Sequence, residues 1–154
     1  MRGAYVLVID LNKNHSIHLK SLGNLKFKRG TWLYIGSAMG NGSTNLENRL
    51  RRHFRSKKTI HWHIDHLLDS DSKIRCSIWS ESLYLVECDI AKSIENLDGM
   101  EKGPRGFGSS DCKNKCWTHL YYSTIEKDLE NRIMQIFLNL KLVPKITEDG
   151  NLEE

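Results

Sequence analysis

One short apolar run sets the frame for this chain: Ala4-Tyr5-Val6-Leu7-Val8-Ile9-Asp10, rich in β-branched residues and closed by an acid. Its length suits a buried strand. No run in the 154 residues approaches the roughly 20 apolar positions needed to span a bilayer. No small-residue cleavage site follows it, so it reads as a strand and not as a signal peptide, and a cytoplasmic protein is expected. The four cysteines then read as reduced thiols. A chain of this size fits one domain with a real core, here residues 1–146, followed by an acidic tail at 147–154.

After the turn at Asn12-Lys13-Asn14, residues His15 to Lys20 are expected to return as a partner strand, and Thr31 to Gly36 to form another. A flexible run, 36–44, leads into a helix from about Asn45, whose Leu46, Leu50 and Phe54 recur every four residues. A second helix is expected near Thr59, and 74–80 with 82–87 as a strand pair. Ile90, Ile94 and Leu97 mark a third helix, and the four glycines and one proline of 99–114 mark a long loop. A final strand at 116–122 and a capping box at Ser123 and Glu126 would open the last helix, buried through Leu129, Ile133, Ile136, Phe137 and Leu140. The fold class is α/β (α+β), a small mixed or mainly antiparallel sheet flanked by helices.

Charge is unevenly placed. The net charge is +4, and Arg49 to Lys58 carries six of the 23 basic residues, whereas 148–154 holds four acids and no base. On a helical wheel stepping ~100° per residue, Arg49 and His53 fall at the edge of the buried face and Arg51, Arg52 and Arg55 on the outer one. A guanidinium held against a sheet can bond a phosphate bidentately, while outer arginines supply only salt-sensitive attraction. The plainer alternative pairs Arg49 with a carboxylate and leaves His53 a satisfied border residue.

Tyr5 stands in Gly3-Ala4-Tyr5 and Tyr34 in Tyr34-Ile35-Gly36. Here the chain resembles the GIY-YIG nuclease superfamily, with its Gly-Ile-Tyr strand, its Tyr-Ile-Gly strand and an arginine-bearing helix after them. It is similar above all to one branch, catalogued as a domain of unknown function and sometimes fused to endonuclease III. The residues that carry this are Tyr34-Ile35-Gly36-Ser37-Ala38, Arg49-Leu50-x-Arg52-His53, Lys57-Lys58, His61-Trp62-His63-Ile64-Asp65, Glu87 with Ala91, and Gly106 to Cys112 leading to His119-Leu120. The resemblance implies a GIY-YIG-like fold and hydrolysis of phosphodiesters, with DNA repair or processing as the setting. By analogy Tyr5, Tyr34, Arg49 and His53 are catalytic and Glu87 binds one divalent metal, magnesium or manganese. Tyr5 would be the general base and Tyr34 would orient water or phosphate. Arg52, Arg55, Lys57, Lys58, His61 and His63 would contact nucleic acid, expected to be DNA. Ala4 departs from the pattern, Tyr5 and Tyr34 stand 29 positions apart, and the usual late asparagine is missing, with Ser109, Ser110, Asp111 or Asn114 near its place. That gap keeps a second expectation alive, a nucleic-acid-binding module without turnover.

Other groupings have plainer readings beside them. Cys112, Cys116 and His119, with Cys88 or His61 as a fourth, would make a zinc set of unusual spacing; buried thiols are the favoured expectation. His61 and Asp65, four apart on the expected helix, would bond to each other. Trp32, Trp62, Trp79 and Trp117 are expected in the core, and an exposed one would favour single-strand binding.

Overall fold

In the computed structural model, which describes residues 1–110 and 112–152, the first apolar run extends from Gly3 to Leu11 as β1. It lies between two antiparallel neighbours, β4 (Gly30–Ala38) and β5 (Ser72–Glu81). Its side chains alternate, so Tyr5, Leu7 and Ile9 face one layer and Ala4, Val6 and Val8 the other. Helices cover both layers, which is why the run carries no polar alternation. One layer buries Leu46 and Leu50 of α1 (Leu46–Phe54) and Ile64 and Leu67 of α2 (His63–Leu68). The other buries Ile90 and Ile94 of α3 (Glu87–Glu95) with Ile133 and Phe137 of α4 (Leu129–Asn139).

The remaining strands are β2 (His15–Leu19), β3 (Gly23–Phe27), β6 (Met100–Lys102), β7 (Leu120–Ser123) and β8 (Lys145–Thr147). Six strands form one sheet in the order β6-β7-β4-β1-β5-β8, and β2 pairs with β3 in a separate hairpin. Every pairing among the described residues is antiparallel. The architecture is α+β, a six-stranded antiparallel sheet flanked by four helices. No helix among the described residues is long and apolar enough to cross a membrane.

Several local expectations are corrected. The strand at His15 pairs with β3 instead of β1, because both edges of β1 are taken by β4 and β5. Residues 82–86 form no strand; β5 already has β1 and β8 on its two sides, and Leu83, Tyr84 and Leu85 project outward, 68–77% exposed. The run at 36–44 is less irregular than expected, since β4 continues to Ala38 and Gly42–Thr44 makes one 3₁₀ turn.

The second helix begins at His63 and not near Thr59, where Asp65 accepts the backbone N–H groups of His61 and Trp62 and so caps it. The loop at 99–114 contains β6, and Leu97 lies just past the end of α3. β7 is followed by a further strand, β8, so it is not the last. Ser123 caps no helix: its Oγ accepts from Ile125 N, and α4 starts at Leu129 after Asp128, whose φ is 61°. Thr147 ends β8, and the chain then folds back so that Gly150 packs on the Phe54 ring. Glu153 and Glu154 of the expected acidic tail lie outside the described residues.

Candidate functional site

Strand register brings the two tyrosines together. Tyr5 pairs with Gly36 and Tyr34 with Leu7, which sets both rings in the layer covered by α1 and α2. The Tyr5 ring lies close against its partner: a Cβ on Gly36 would stand 2.5 Å from its Cζ and hydroxyl oxygen. Tyr34 is supported from the other side by Gly108, where φ is +70° and a Cβ would stand 2.8 Å from the Tyr34 ring. Both glycines are therefore required by close approach, and Gly108 also by its backbone conformation.

The helix over these rings starts where its cap dictates: Asn45 accepts from Asn48 N at 2.9 Å. With Leu46 and Leu50 buried, Arg49 and His53 turn toward the tyrosines, as the wheel predicts. His53 Nε2 is 2.7 Å from the Tyr5 hydroxyl. Its ring is 2% exposed, and burial, reinforced by the cations Arg49, Arg52 and Lys58, lowers its pKa to about 3 against the pull of Asp65. His53 is thus a neutral imidazole. Burial drives the Tyr5 phenol upward, and Arg49 beside it opposes that rise. Tyr34 is also raised, by burial first and then by Tyr5 and Glu87. Arg49 donates Nη1–H to Ser37 O at 2.7 Å, and its guanidinium stacks 4.5 Å from the centroid of Trp62.

Arg52 departs from expectation. Instead of standing free on the outer face, it makes two 2.8 Å bonds to Asp65 and lies 4.4 Å from the centroid of the Trp62 ring, the ring that Arg49 also contacts. The wheel of α1 has no knowledge of α2, which supplies the carboxylate. Asp65 bonds in turn to the backbone of His61, so the expected side-chain pair with His61 is replaced by a main-chain one. Lys58 also turns inward and caps the end of α1 through the carbonyls of His53 and Arg55. Arg55 and Lys57 are exposed, as is His61. His63 accepts Gly108 N–H at Nδ1, 3.1 Å away, which leaves Nε2 to donate to Ser21 Oγ at 3.0 Å. It therefore fixes the glycine loop beside Tyr34.

Glu87, the first residue of α3, comes from the opposite layer and completes a cavity of about 180 Å³ with Tyr5, Tyr34, Arg49, His53 and Trp62. All five residues expected for chemistry line it. Trp62 is expected in the core and is partly buried against it; its contact with both Arg49 and Arg52 is a tertiary fact that the sequence carries only as proximity to His61 and His63. A second cavity of about 260 Å³ shares Tyr34, Trp62 and Gly108 and adds His61, His63 and Ser110. Of the positions near the missing asparagine, Ser110 lines this second cavity, Ser109 is buried against Trp117 O, and Asn114 is exposed. Asp111 lies outside the described residues. Trp32 and Trp79 are core, and Trp117 is 44% exposed, flanked by Lys102 and Arg105.

A second group of donors lies behind Glu87. Cys88, Cys112, Cys116 and His119 bring their ligand atoms within 4.8 Å of one another, close enough to hold a metal ion. Buried thiols had been the favoured expectation; Cys116 and Cys112 are half-buried, and Cys88 joins them from α3. His119 Nδ1 is 3.8 Å from Glu87 Oε2, so the two groups of residues adjoin.

The family described as "Domain of unknown function DUF123" matches residues 4–142 of the chain. Neither the comparison with curated proteins nor that with solved structures finds a match.

Proposed function

The chain belongs to the DUF123 family, and we propose that it is a divalent-metal-dependent endonuclease of the GIY-YIG type acting on DNA. One observation carries this reading: Tyr5, Tyr34, Arg49, His53 and Glu87 converge on a single small cavity from two strands, β1 and β4, and from two helices, α1 and α3, on opposite layers. A structural reading of each residue accounts for one or two of them, but not for their sharing one polar space.

Arg49 is the phosphate anchor. Its guanidinium plane is set by Ser37 O and Trp62, so its other N–H groups meet a phosphoryl oxygen with little further ordering. Tyr5 faces the attacking water. Its phenol alone is a weak base; the 2.7 Å contact to neutral His53 holds the hydroxyl in place, and Arg49 beside it favours the phenolate that would accept a proton from water. Tyr34, on the same face, orients water or phosphate.

Glu87 suits a hard cation: 27% exposed at the rim of a polar cavity, it is the one carboxylate among the described residues that line it, and a cation there would take its other ligands from water and phosphate oxygens. Magnesium or manganese held there supplies Lewis-acid stabilisation of charge on the phosphate. The second cavity continues past Tyr34 toward His61 and His63, a path for the flanking backbone, with Arg55 and Lys57 exposed nearby in sequence.

The second reading is nucleic-acid binding without turnover. It is favoured by the lining of the catalytic cavity, which holds no asparagine among the described residues. Incubating the protein with supercoiled plasmid and with branched oligonucleotides, in magnesium or manganese, separates the two. Metal-dependent nicking that disappears in Glu87→Ala and Tyr5→Phe supports the enzyme. Salt-sensitive binding without cleavage, unchanged by Glu87→Ala and weakened by Arg49→Ala, supports the binding module.

A further inference from the structure

We propose that Cys88, Cys112, Cys116 and His119 form a tetrahedral zinc site that fastens the 103–119 loop to the start of α3. Zinc–sulfur and zinc–nitrogen bonds of about 2.3 and 2.0 Å put the ligand atoms of a tetrahedral site roughly 3.5–3.8 Å apart. Here Cys88 Sγ lies 3.8 Å from His119 Nε2 and 3.1 Å from Cys112 Sγ, and all four donors fall within 4.8 Å. Small rotations of the thiol side chains suffice to accommodate the ion.

The donors come from three separate places. Cys88 is on α3, Cys112 and Cys116 flank a turn closed by Lys115 N–H to Cys112 O, and His119 directly precedes β7. Lys115 at that turn has φ of 54°, a conformation that draws the two cysteines toward one point. The segment they join is held by hydrogen bonds, such as Gly106 N–H to Trp117 O and Gly108 N–H to His63, but by little apolar burial. Between β6 and β7 the described chain has no helix or strand, and Phe107 is its one large side chain in the core. A metal crosslink provides what apolar burial does not.

Donor chemistry selects the ion. Three thiolates and one imidazole suit zinc and exclude magnesium or calcium, so the chain would separate two cations by softness, the hard one at Glu87. If His119 binds through Nε2, its Nδ1 is left 3.8 Å from the Glu87 carboxylate, and a shift of under about 1 Å would make Glu87 the outer carboxylate that orients a metal-bound histidine. Zinc would then also help place Glu87, a consequence that rests on the nuclease reading; the zinc site itself does not.

The test is metal content of the purified full chain, followed by cobalt(II) titration of the metal-stripped protein. One equivalent of zinc per chain is expected, falling to near none in Cys112→Ser and Cys116→Ser and staying at one equivalent in Cys76→Ser, whose thiol lies in the core away from the cluster. Because a serine variant can lose zinc by failing to fold, the wild-type titration is the independent readout. Cobalt should give a thiolate charge-transfer band and the intense visible bands of a tetrahedral site, and zinc should bleach both. A chain that carries no zinc and shows no such bands overturns the proposal, as does a Cys88–Cys112 disulfide or an iron–sulfur chromophore. Neither readout uses nucleic acid. A chain that holds zinc without cutting DNA refutes only the nuclease, and one that cuts DNA without zinc refutes only this site.

Discussion

The Tyr5 hydroxyl and His53 Nε2 are 2.7 Å apart, buried together between β1 and α1. Burial holds both groups neutral, raising the phenol and lowering the imidazole, so the pair shares one proton across a short bond and carries no net charge. Tyr5→Phe keeps the ring that packs on Gly36 and removes only the oxygen. It is expected to leave the fold intact and to lower the rate of plasmid nicking by about 10²–10⁴-fold, the range for losing a positioned proton acceptor. Nicking rates measured beside thermal melting curves check this, and unchanged turnover would remove Tyr5 from the chemistry.

Gly36→Ala tests the same pair from below. An added methyl would stand 2.5 Å from the Tyr5 ring and hydroxyl, inside any tolerable contact, so the ring must tilt away. Overpacking of this kind costs about 1–3 kcal/mol. Misplacing the hydroxyl should lower nicking more than the lost stability explains. Chemical denaturation and nicking of Gly36→Ala, with Gly42→Ala as a comparison where φ is +63° but no atom lies within 4 Å, separates crowding from backbone strain.

His53 also makes stability depend on pH. Its pKa is about 3 in the folded chain against a reference of 6.5, so between these values the unfolded chain binds the extra proton. The folded state is favoured in full above pH ~6.5 and loses that advantage steadily as pH falls toward 3. His53→Gln, which keeps a hydrogen-bonding group without a titration in this range, should flatten the stability profile through that window. Urea denaturation at stepped pH values measures it, and parallel profiles for the two proteins would contradict a buried neutral imidazole.

What could be read from the sequence follows the range of the signal. The strand at Tyr5 and the α1 positions of Arg49 and His53 depend on local periodicity, and the structure places them as that periodicity requires. The position of Glu87 in the same cavity came only through the family likeness, since α3 reaches the site from the other layer. Arg52 was misplaced because its partner, Asp65, sits on a different helix. The run Leu83-Tyr84-Leu85 misled in the opposite sense: it has strand-like composition, but the sheet edge it would need is occupied by β8. Cys88 belongs with Cys112 and Cys116 only through tertiary proximity, which spacing along the chain does not encode.

Asp65 couples α1 to α2. Its carboxylate is fully buried and takes two bonds from Arg52 and two from backbone N–H groups. Burial alone would raise its pKa, but Arg52 and those N–H groups bring it below the ordinary carboxylate value. The stabilisation is therefore complete above pH ~4 and drains away as pH falls below it, a lower window than that of His53. Asp65→Asn leaves the guanidinium without its counter-charge and should destabilise the fold by about 3 kcal/mol. Denaturant midpoints at neutral pH and at pH 3 check both parts, with the difference between wild type and Asp65→Asn shrinking at the lower value.

The basic residues of α1 and the segment after it should divide in their effect on nucleic-acid binding. Arg51, Arg55 and Lys57 are exposed, whereas Arg52 is committed to Asp65 and Trp62. An exposed cation at a phosphate releases a counterion on binding, so each such contact adds about 0.7–0.9 to the slope of log affinity against log salt. Replacing Arg55 or Lys57 by alanine should therefore shallow that slope by about one contact each and leave folding stability almost unchanged. Arg52→Ala should do the reverse, lowering the denaturation midpoint with little change in slope. Fluorescence anisotropy with a labelled oligonucleotide over a salt series, paired with denaturation curves, distinguishes them. A slope that falls with Arg52→Ala but not with Arg55→Ala or Lys57→Ala would move the nucleic-acid path off this exposed face and onto the Trp62 side of α1.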